Sequence, residues 1–229
     1  MNPNFSIVIP AHNEAENLKI LLPNLIKSLG PLGPMWEIVM IDNASTDDTI
    51  KVITSFSEYG RAIKIVQEPT LGYGRAVLKG LQESSGNIVG IIRADNQEKP
   101  EDLVSMFRLF VQNKWDFGKA IRKSRKDDGL KRMLISLFFN TSFRILFGLK
   151  VKDINATPKI FTRKLMNELK LESKDWFIDA EIVIKAVRAE AKIGEVEIEY
   201  LPRLKGKSSV RFRHIIQFIK NMLIWRLLK

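Results

Sequence analysis

Two short apolar segments near the N-terminus, each followed by polar residues, constrain the fold of this chain most. Residues 5–11 (FSIVIPA) lead into His-Asn-Glu, and residues 37–42 (EIVMID) lead into Asn-Ala-Ser. Apolar runs of this length are typical of strands buried in a parallel sheet. Ligands of open α/β sheets bind just outside the carboxyl ends of the strands. The polar residues after both runs are therefore expected at one binding edge.

Segments with helical spacing alternate with these strands. Residues 18–29 place leucine and isoleucine at helical intervals, with Asn13 predicted as the N-cap and Pro23 predicted to kink or split the helix. Further strands are predicted at residues 62–66 and 87–92, and Pro100 begins another helix. The alternation predicts an α/β fold with a mostly parallel sheet flanked by helices.

Composition limits the class of protein. The 229 residues include no cysteine, which excludes disulfides and thiolate chemistry. No secretory signal pattern is visible at the start, and no apolar run reaches the roughly 18–20 residues that span a bilayer. We therefore expect a cytoplasmic protein, with residues 1–210 as one domain followed by a basic amphipathic helix at 211–229.

The net charge of +11 fits either a solvated basic surface or an acidic partner, namely nucleic acid, anionic lipid or a phosphorylated substrate. Basic and bulky apolar residues are interleaved at residues 119–131 and 203–229, which suits a membrane surface better than nucleic acid. No nucleic-acid-binding motif is present in the sequence. In the last helix, one face is predicted to hold Phe212, Ile215, Ile216, Ile219, Met222 and Leu223. That face is expected against a membrane surface or a membrane-embedded partner subunit, with core packing as the alternative.

The two segments and the motifs after them resemble the inverting family 2 glycosyltransferases of the GT-A (Rossmann-like) fold, and more narrowly the dolichyl- and polyprenyl-phosphate mannose synthase group. The resemblance implies transfer of a hexose from a nucleotide-diphosphate sugar, of the GDP-mannose or UDP-glucose type, to a polyprenyl or dolichyl phosphate at the cytoplasmic membrane face. It implies a nucleotide-sugar site formed by Pro10, Ala11, Asn13, Glu14, Asp42, Ser45, Gly72, Arg75, Arg93, Ala94, Asp95, Arg203 and Lys207.

The segment at residues 93–101 (RADNQEKPE) departs from the Asp-x-Asp pattern of this family. Asp95 and Gln97 keep their places, but Arg93 replaces the first acid. Asp95 with Gln97 could still hold Mg²⁺ or Mn²⁺, because such a cation needs only one or two protein carboxylates beside a diphosphate. Alternatively, Arg93 supplies the positive charge and the metal requirement is weakened or lost. A third reading is a catalytically degenerate nucleotide-sugar-binding protein.

The acceptor side of the resemblance rests on Arg122, Arg132 and Ser136. In the related group the two arginines contact the lipid phosphate, and a guanidinium can grip a phosphate with two hydrogen bonds. Asp95, Arg122 and Arg132 are accordingly the predicted catalytic residues. A phosphate acceptor is already ionised at neutral pH and needs no general base. A polysaccharide or glycolipid hydroxyl acceptor would need one, and the candidates are Asp153, Asp179 and Glu181.

Overall fold

The computed structural model describes residues 4–56, 62–123, 140–148, 150–202 and 212–228. Within α8 (Phe212–Leu228), side-chain positions are described for residues 217–227. Four of the predicted site residues, Arg132, Ser136, Arg203 and Lys207, lie outside the described residues.

A seven-stranded sheet forms the centre of the described structure, in the order β3-β2-β1-β4-β6-β5-β7. All strands run parallel except β6, which is antiparallel to both of its neighbours. The predicted mostly parallel sheet is therefore confirmed. The strands are β1 (Phe5–Ala11), β2 (Trp36–Asn43), β3 (Ile63–Glu68), β4 (Ile88–Ile91), β5 (Phe117–Lys123), β6 (Lys159–Thr162) and β7 (Ile193–Glu199).

Helices cover both faces of the sheet, as expected for a doubly covered α/β fold. They are α1 (Ala15–Leu29), α2 (Thr49–Ser55), α3 (Tyr73–Glu83), α4 (Pro100–Asn113), α5 (helical over described residues 140–147), α6 (Arg163–Leu169), α7 (Ile178–Arg188) and α8. A 3₁₀ turn, Gly30–Leu32, follows α1. The apolar side chains of α1, α2 and α4 pack in one core layer, and those of α3, α6, α7 and α8 pack in the other.

Alternation along β1 assigns side chains to the two layers. Ile7 and Ile9 pack with α1 and α4, whereas Val8 packs with α3 and α7. Every residue of β1 is buried, since helices cover both faces of the sheet. Pro23 does not split α1, because its position is exposed and the leucines on the opposite side of the helix are buried in the core.

The C-terminal helix packs on the core, the alternative to a membrane or partner contact, through a face that includes Met222 of the predicted apolar set. Phe218 and Trp225 pack against Phe177, and Met222 is buried beside them. Leu223, which was predicted on the same apolar face as Met222, is half exposed, and Leu227 is 78% exposed. In the part of the chain that the structure describes, no helix has both the length and the apolar character required to cross a bilayer.

Candidate functional site

The carboxyl ends of the parallel strands and the amino end of β6 meet at one edge of the sheet. Four non-glycine residues in the loops at this edge have positive φ angles: Asn13 (55°), Ala44 (54°), Asn96 (57°) and Asp153 (41°). Left-handed backbone is unfavourable for residues with a Cβ atom, and such residues cluster at ligand sites. The edge therefore carries backbone strain at the places where the sequence predicts a binding site.

The loops after β1 and β2 are bonded to each other. The backbone N–H of Asn13 donates to Ser45 Oγ at 3.0 Å, and Asn13 Oδ1 accepts from the Thr46 N–H at 2.7 Å. The prediction that Asn13 caps α1 is wrong, because its side chain serves this interloop bond and Glu14 occupies the cap position. Glu14 in turn donates its N–H to Thr49 Oγ1. The structure thus brings Asn13, Glu14 and Ser45 together, as predicted.

Asn43 fixes the next loop along the edge. Its amide nitrogen donates to the carbonyl oxygens of Glu68 and Thr70, and its Oδ1 accepts from the Gly72 N–H at 2.9 Å. An amide can make all three bonds, whereas a carboxylate could not donate two of them. Beside it, Asp42 is buried, and its Oδ1 has no hydrogen-bond partner among the described residues. A buried acceptor of this kind is available to a hydrogen-bond donor of a ligand.

Gly72 and the start of α3 lie against the loop before α7. A Cβ atom on Gly72 would stand 2.7 Å from the Lys174 carbonyl oxygen, and the Arg75 N–H donates to the same oxygen at 3.3 Å. Tyr73 stacks on Trp176, with ring centroids 4.5 Å apart. Close backbone approach therefore explains why Gly72 is a glycine.

The loop after β4 holds the buried Asp95. Its Oδ1 accepts from the Gln97 N–H at 3.3 Å, so the two predicted metal ligands are adjacent. The Gln97 amide, however, contacts the segment after β7: its nitrogen donates to the Leu201 carbonyl, and its oxygen accepts from Tyr200 Oη at 2.9 Å. Among the described residues no cluster of three or more acidic, histidine or cysteine side chains could hold a metal ion. Asp95 by itself fits a cation held mainly by a diphosphate.

The Arg93 side chain contacts other parts of the protein rather than only solvent. Its Nη2 donates to the Asn155 carbonyl oxygen at 3.0 Å and forms an ion pair with Asp179 at 3.3 Å. The guanidinium carbon lies 5.9 Å from the centroid of the Tyr73 ring. Arg93 therefore joins the loop after β4 to the loop before β6 and to the start of α7.

Two lysines at this edge are fully buried. Lys159 Nζ donates to Asp179 Oδ1 at 2.6 Å, and burial lowers the pKa of Lys159, partly offset by Asp179. Lys119, its register partner, donates to the Lys152 and Ala120 carbonyls. Burial lowers the pKa of Lys119 to about 8. The prediction that Lys119 belongs to a basic surface is wrong, because its strand lies inside the sheet and its ammonium group is bonded there.

Arg122 is held by Asp153. The Arg122 Nε donates to Asp153 Oδ2 at 2.7 Å, and Nη2 donates to Oδ1, which gives a two-pronged ion pair. Burial opposes ionisation of Asp153, but the hydrogen bonds and charge of Arg122 outweigh it and lower the pKa of Asp153. The guanidinium carbon of Arg122 lies 5.2 Å from the centroid of the Tyr200 ring. Arg122 thus lies near the carboxyl end of β5, and Asp153 and the Tyr200 ring both contact its guanidinium.

Glu98 is a site residue that the sequence did not reveal. Its Oε2 accepts from the Arg93 N–H at 3.2 Å, and its Oε1 accepts from the Thr157 hydroxyl. Burial raises the pKa of Glu98 to about 7. A glutamate between Gln97 and Lys99 gives no sign of burial, because the partner loop that covers it lies about sixty residues away in the chain.

All three candidate general bases have both carboxylate oxygens hydrogen-bonded. Asp153 is held by Arg122, and Asp179 is held by Lys159 and Arg93. Glu181 accepts the N–H groups of Glu172 and Ser173 at 2.9 and 2.7 Å and pairs with Lys185. These bonds occupy the carboxylate oxygens that a general base would need to accept a proton from a hydroxyl. The arrangement favours an acceptor that arrives already ionised.

Comparison with known proteins places this fold and site in a family. Residues 6–172 match the sequence pattern of glycosyl transferase family 2. The match covers more than half of the chain, and the chain belongs to this family.

Two relatives from bacteria are similar over nearly all of the chain. The undecaprenyl-phosphate 4-deoxy-4-formamido-L-arabinose transferase of Pectobacterium carotovorum subsp. carotovorum is 26% identical over 96% of this chain and 66% of its own length. The dodecaprenyl-phosphate galacturonate synthase of Rhizobium johnstonii is 26% identical over 96% of this chain and 67% of its own length. The chain therefore spans about two thirds of the length of these relatives.

Solved structures of glucosyl-3-phosphoglycerate synthase from Mycobacterium tuberculosis share the GT-A fold. The complex with Mn²⁺, UDP-glucose and phosphoglyceric acid superposes with a TM-score of 0.74 at 20% identity, over 98% of this chain and 79% of the other. The complex with Mg²⁺ and UDP gives 0.73 at 18% identity, over the same shares. The predicted fold class is confirmed.

Proposed function

We propose that this protein is an inverting glycosyltransferase that moves a sugar from a nucleotide-diphosphate donor to a polyprenyl phosphate. The observation that carries the proposal is the state of the three candidate bases, Asp153, Asp179 and Glu181, whose carboxylate oxygens are all engaged in ion pairs or backbone hydrogen bonds. A phosphate monoester needs no base. The names of the two relatives, which both act on polyprenyl phosphates, support the same acceptor class.

The donor would bind along the edge formed by the loops after β1, β2 and β4. Asp42 Oδ1, buried and without a partner among the described residues, would accept a hydrogen bond from the base. Asn13, Glu14, Ser45 and the Gly72 loop would surround the nucleoside. Pro10, Ala11, Arg75 and Ala94 complete the proposed donor site.

Asp95 would hold a divalent cation bound chiefly by the donor diphosphate, with Gln97 as its second-sphere neighbour. When bound, such a cation neutralises the charge of the leaving diphosphate. The solved structures that share this fold contain Mg²⁺ with UDP or Mn²⁺ with UDP-glucose. Arg93 does not take over this role in our proposal, because its guanidinium contacts Asp179 and Asn155.

The reaction would be a single displacement at the anomeric carbon. An oxygen of the lipid phosphate forms a bond to C1, and the bond from C1 to the diphosphate oxygen breaks. Its electron pair leaves with the nucleoside diphosphate, and no proton moves. Arg122 would hold the acceptor phosphate, since a guanidinium paired to Asp153 on one side retains donors for a second anion. Arg132 and Ser136 are proposed to contribute to the same phosphate site.

We further propose residues 1–210 as the transferase domain, with α8 facing the membrane on its outer side. Leu223 is 49% exposed and Leu227 is 78% exposed, while Lys220 and Arg226 are also exposed. An apolar strip beside basic residues suits a surface of anionic lipid. We place this contact at the cytoplasmic face of a membrane, and sedimentation with phosphatidylglycerol and phosphatidylcholine vesicles tests whether α8 binds anionic lipid. Leu227→Glu should weaken binding to the phosphatidylglycerol vesicles, and unchanged binding would contradict a membrane-facing role for α8.

The experiment that tests the function is a transfer assay with purified protein and undecaprenyl or dolichyl phosphate. A panel of labelled UDP- and GDP-sugars is offered with Mg²⁺, Mn²⁺ or EDTA. We expect label in a lipid fraction that mild acid hydrolyses, and loss of that label with EDTA. In a parallel reaction with 3-phosphoglycerate in place of the lipid, transfer of label to it would support a hydroxyl acceptor. Donor binding without any transfer would support the degenerate alternative.

Variants assign the roles. Asp95→Ala should abolish transfer, and near-normal turnover would remove Asp95 from the cation site. Arg122→Ala should raise the KM for the lipid phosphate much more than the KM for the donor. Arg108→Ala, an exposed arginine on α4, is the matched control for loss of one positive charge.

A further inference from the structure

We infer that Tyr200 is a positioning residue that couples the donor loop to the acceptor arginine. The inference rests on the proposed function and concerns the same site. Tyr200 directly follows β7 and forms an isolated β-bridge with Glu98. That bridge brings the end of β7 against the loop after β4, which carries Asp95 and Gln97.

One side of Tyr200 contacts the donor loop. The Tyr200 hydroxyl donates to Gln97 Oε1 at 2.9 Å, and this bond fixes which way the Gln97 amide faces. The amide nitrogen then donates to the Leu201 carbonyl at 3.1 Å, while the Leu201 N–H donates to the Gln97 carbonyl at 2.9 Å. The Gln97 N–H reaches Asp95 Oδ1. A continuous set of hydrogen bonds therefore joins Tyr200 to the proposed cation ligand.

The other part of Tyr200 contacts the acceptor side. The guanidinium of Arg122 lies 5.2 Å from the centroid of the Tyr200 ring, within the range of a cation–π contact. Asp153 holds the same guanidinium by two hydrogen bonds. Among the residues that the structure describes, the ring is thus a second group, beside Asp153, that orients Arg122.

The hydroxyl and the ring can be removed separately, which makes the inference testable. Tyr200→Phe deletes the bond to Gln97 and keeps the ring beneath Arg122. We expect it to raise the donor KM about two- to tenfold, the range for loss of one net hydrogen bond. The acceptor KM should change less than twofold. Tyr200→Leu deletes both contacts and should raise the acceptor KM by a further factor of about five to thirty, the range between an exposed and a desolvated cation–π pair, because the Arg122 side chain is largely buried.

A control separates positioning from general destabilisation. Phe107→Leu removes a ring that stacks on Phe5, in the core layer of α1 and α4, at a centroid distance of 4.3 Å. This variant should lower the melting temperature, and it should affect the donor KM and the acceptor KM to the same extent. If Phe107→Leu gives the same pattern as Tyr200→Phe, or if Tyr200→Phe raises both KM values equally or neither, the inference is overturned.

Hydrogen exchange separates failure of this inference from failure of the proposed function. Absence of a lipid-linked product with the natural chain would refute the function only. The inference also predicts faster amide exchange at residues 93–99 in Tyr200→Phe than in the natural chain, with exchange in β1 unchanged. Faster exchange confined to residues 93–99 supports the coupling, and identical exchange overturns it whatever the acceptor is.

Discussion

Glu98→Gln should flatten the pH dependence of stability in the acidic range. Burial raises the pKa of Glu98 from 4.5 to about 7. Between these two values the folded protein holds a proton that the unfolded chain has released. The group therefore stabilises the fold fully below about pH 4.5, and this contribution is lost as pH rises toward 7. The difference in pKa corresponds to about 3 kcal/mol in the free energy of unfolding.

Glutamine is the informative replacement because it fits the observed bonds. Its amide oxygen can accept the Arg93 N–H, and its nitrogen can donate to the Thr157 hydroxyl oxygen, which can rotate to accept. The variant therefore keeps both contacts and loses only the titration. Glu101→Gln, at an exposed position in the first turn of α4, is the matched control.

Urea unfolding followed by tryptophan fluorescence at several pH values from 4.5 to 7.5 measures the effect. We expect the free energy of unfolding of the natural chain to fall relative to that of Glu98→Gln as pH rises, by about 3 kcal/mol across the window. Contributions of all other groups cancel in the difference between the two curves. Parallel curves would show that Glu98 titrates alike in the folded and unfolded states, and would refute the reasoning from burial.

Three further predictions follow from buried polar groups at the same edge. Asn43→Asp removes two donated hydrogen bonds. Kinetics should show a higher donor KM, and urea unfolding should show a free energy of unfolding lower by about 1–3 kcal/mol. An unchanged donor KM would show that these two bonds do not position the loop at Gly72. Lys119→Met should remove a rise in stability with pH between about 8 and 10.5, because burial lowers the pKa of Lys119 and the unfolded chain binds the extra proton there. Asp179→Asn leaves Lys159 without its carboxylate partner and should lower the free energy of unfolding by roughly 3–5 kcal/mol. In thermal melts, the double variant Asp179→Asn with Lys159→Met should recover part of this loss. Effects of the two substitutions that simply add would contradict the pairing.

The sequence predicted the sheet and the edge of the site well, because these depend on local patterns. Apolar runs of strand length followed by polar residues placed β1, β2 and β4, and the parallel arrangement brings their carboxyl ends together. Asn13, Ser45 and Asp95 could therefore be assigned to one edge before any tertiary structure was known. The family resemblance was carried by the same residues, in the same order along the chain.

The partners of charged side chains could not be read from the sequence. Asp179 and Glu181 were predicted as possible bases, but Lys159, Arg93 and Lys185 engage them in the folded protein. Most of these pairs join segments about twenty to ninety residues apart, so no local pattern marks them. The state of each carboxylate, and hence the case for a phosphate acceptor, depended on the tertiary structure.

The burial of individual residues likewise depended partly on the sequence pattern and partly on the tertiary structure. The sequence by itself indicated strands β1 to β4 and helices α1 and α4, because hydrophobic spacing reflects the period of each element. It did not determine which face of α8 meets the core, that Lys119 is enclosed, or that Glu98 is covered by the loop at residues 153–158. Those outcomes are set by which elements the chain brings together, since desolvation and hydrogen bonding depend on neighbours in space rather than neighbours in sequence.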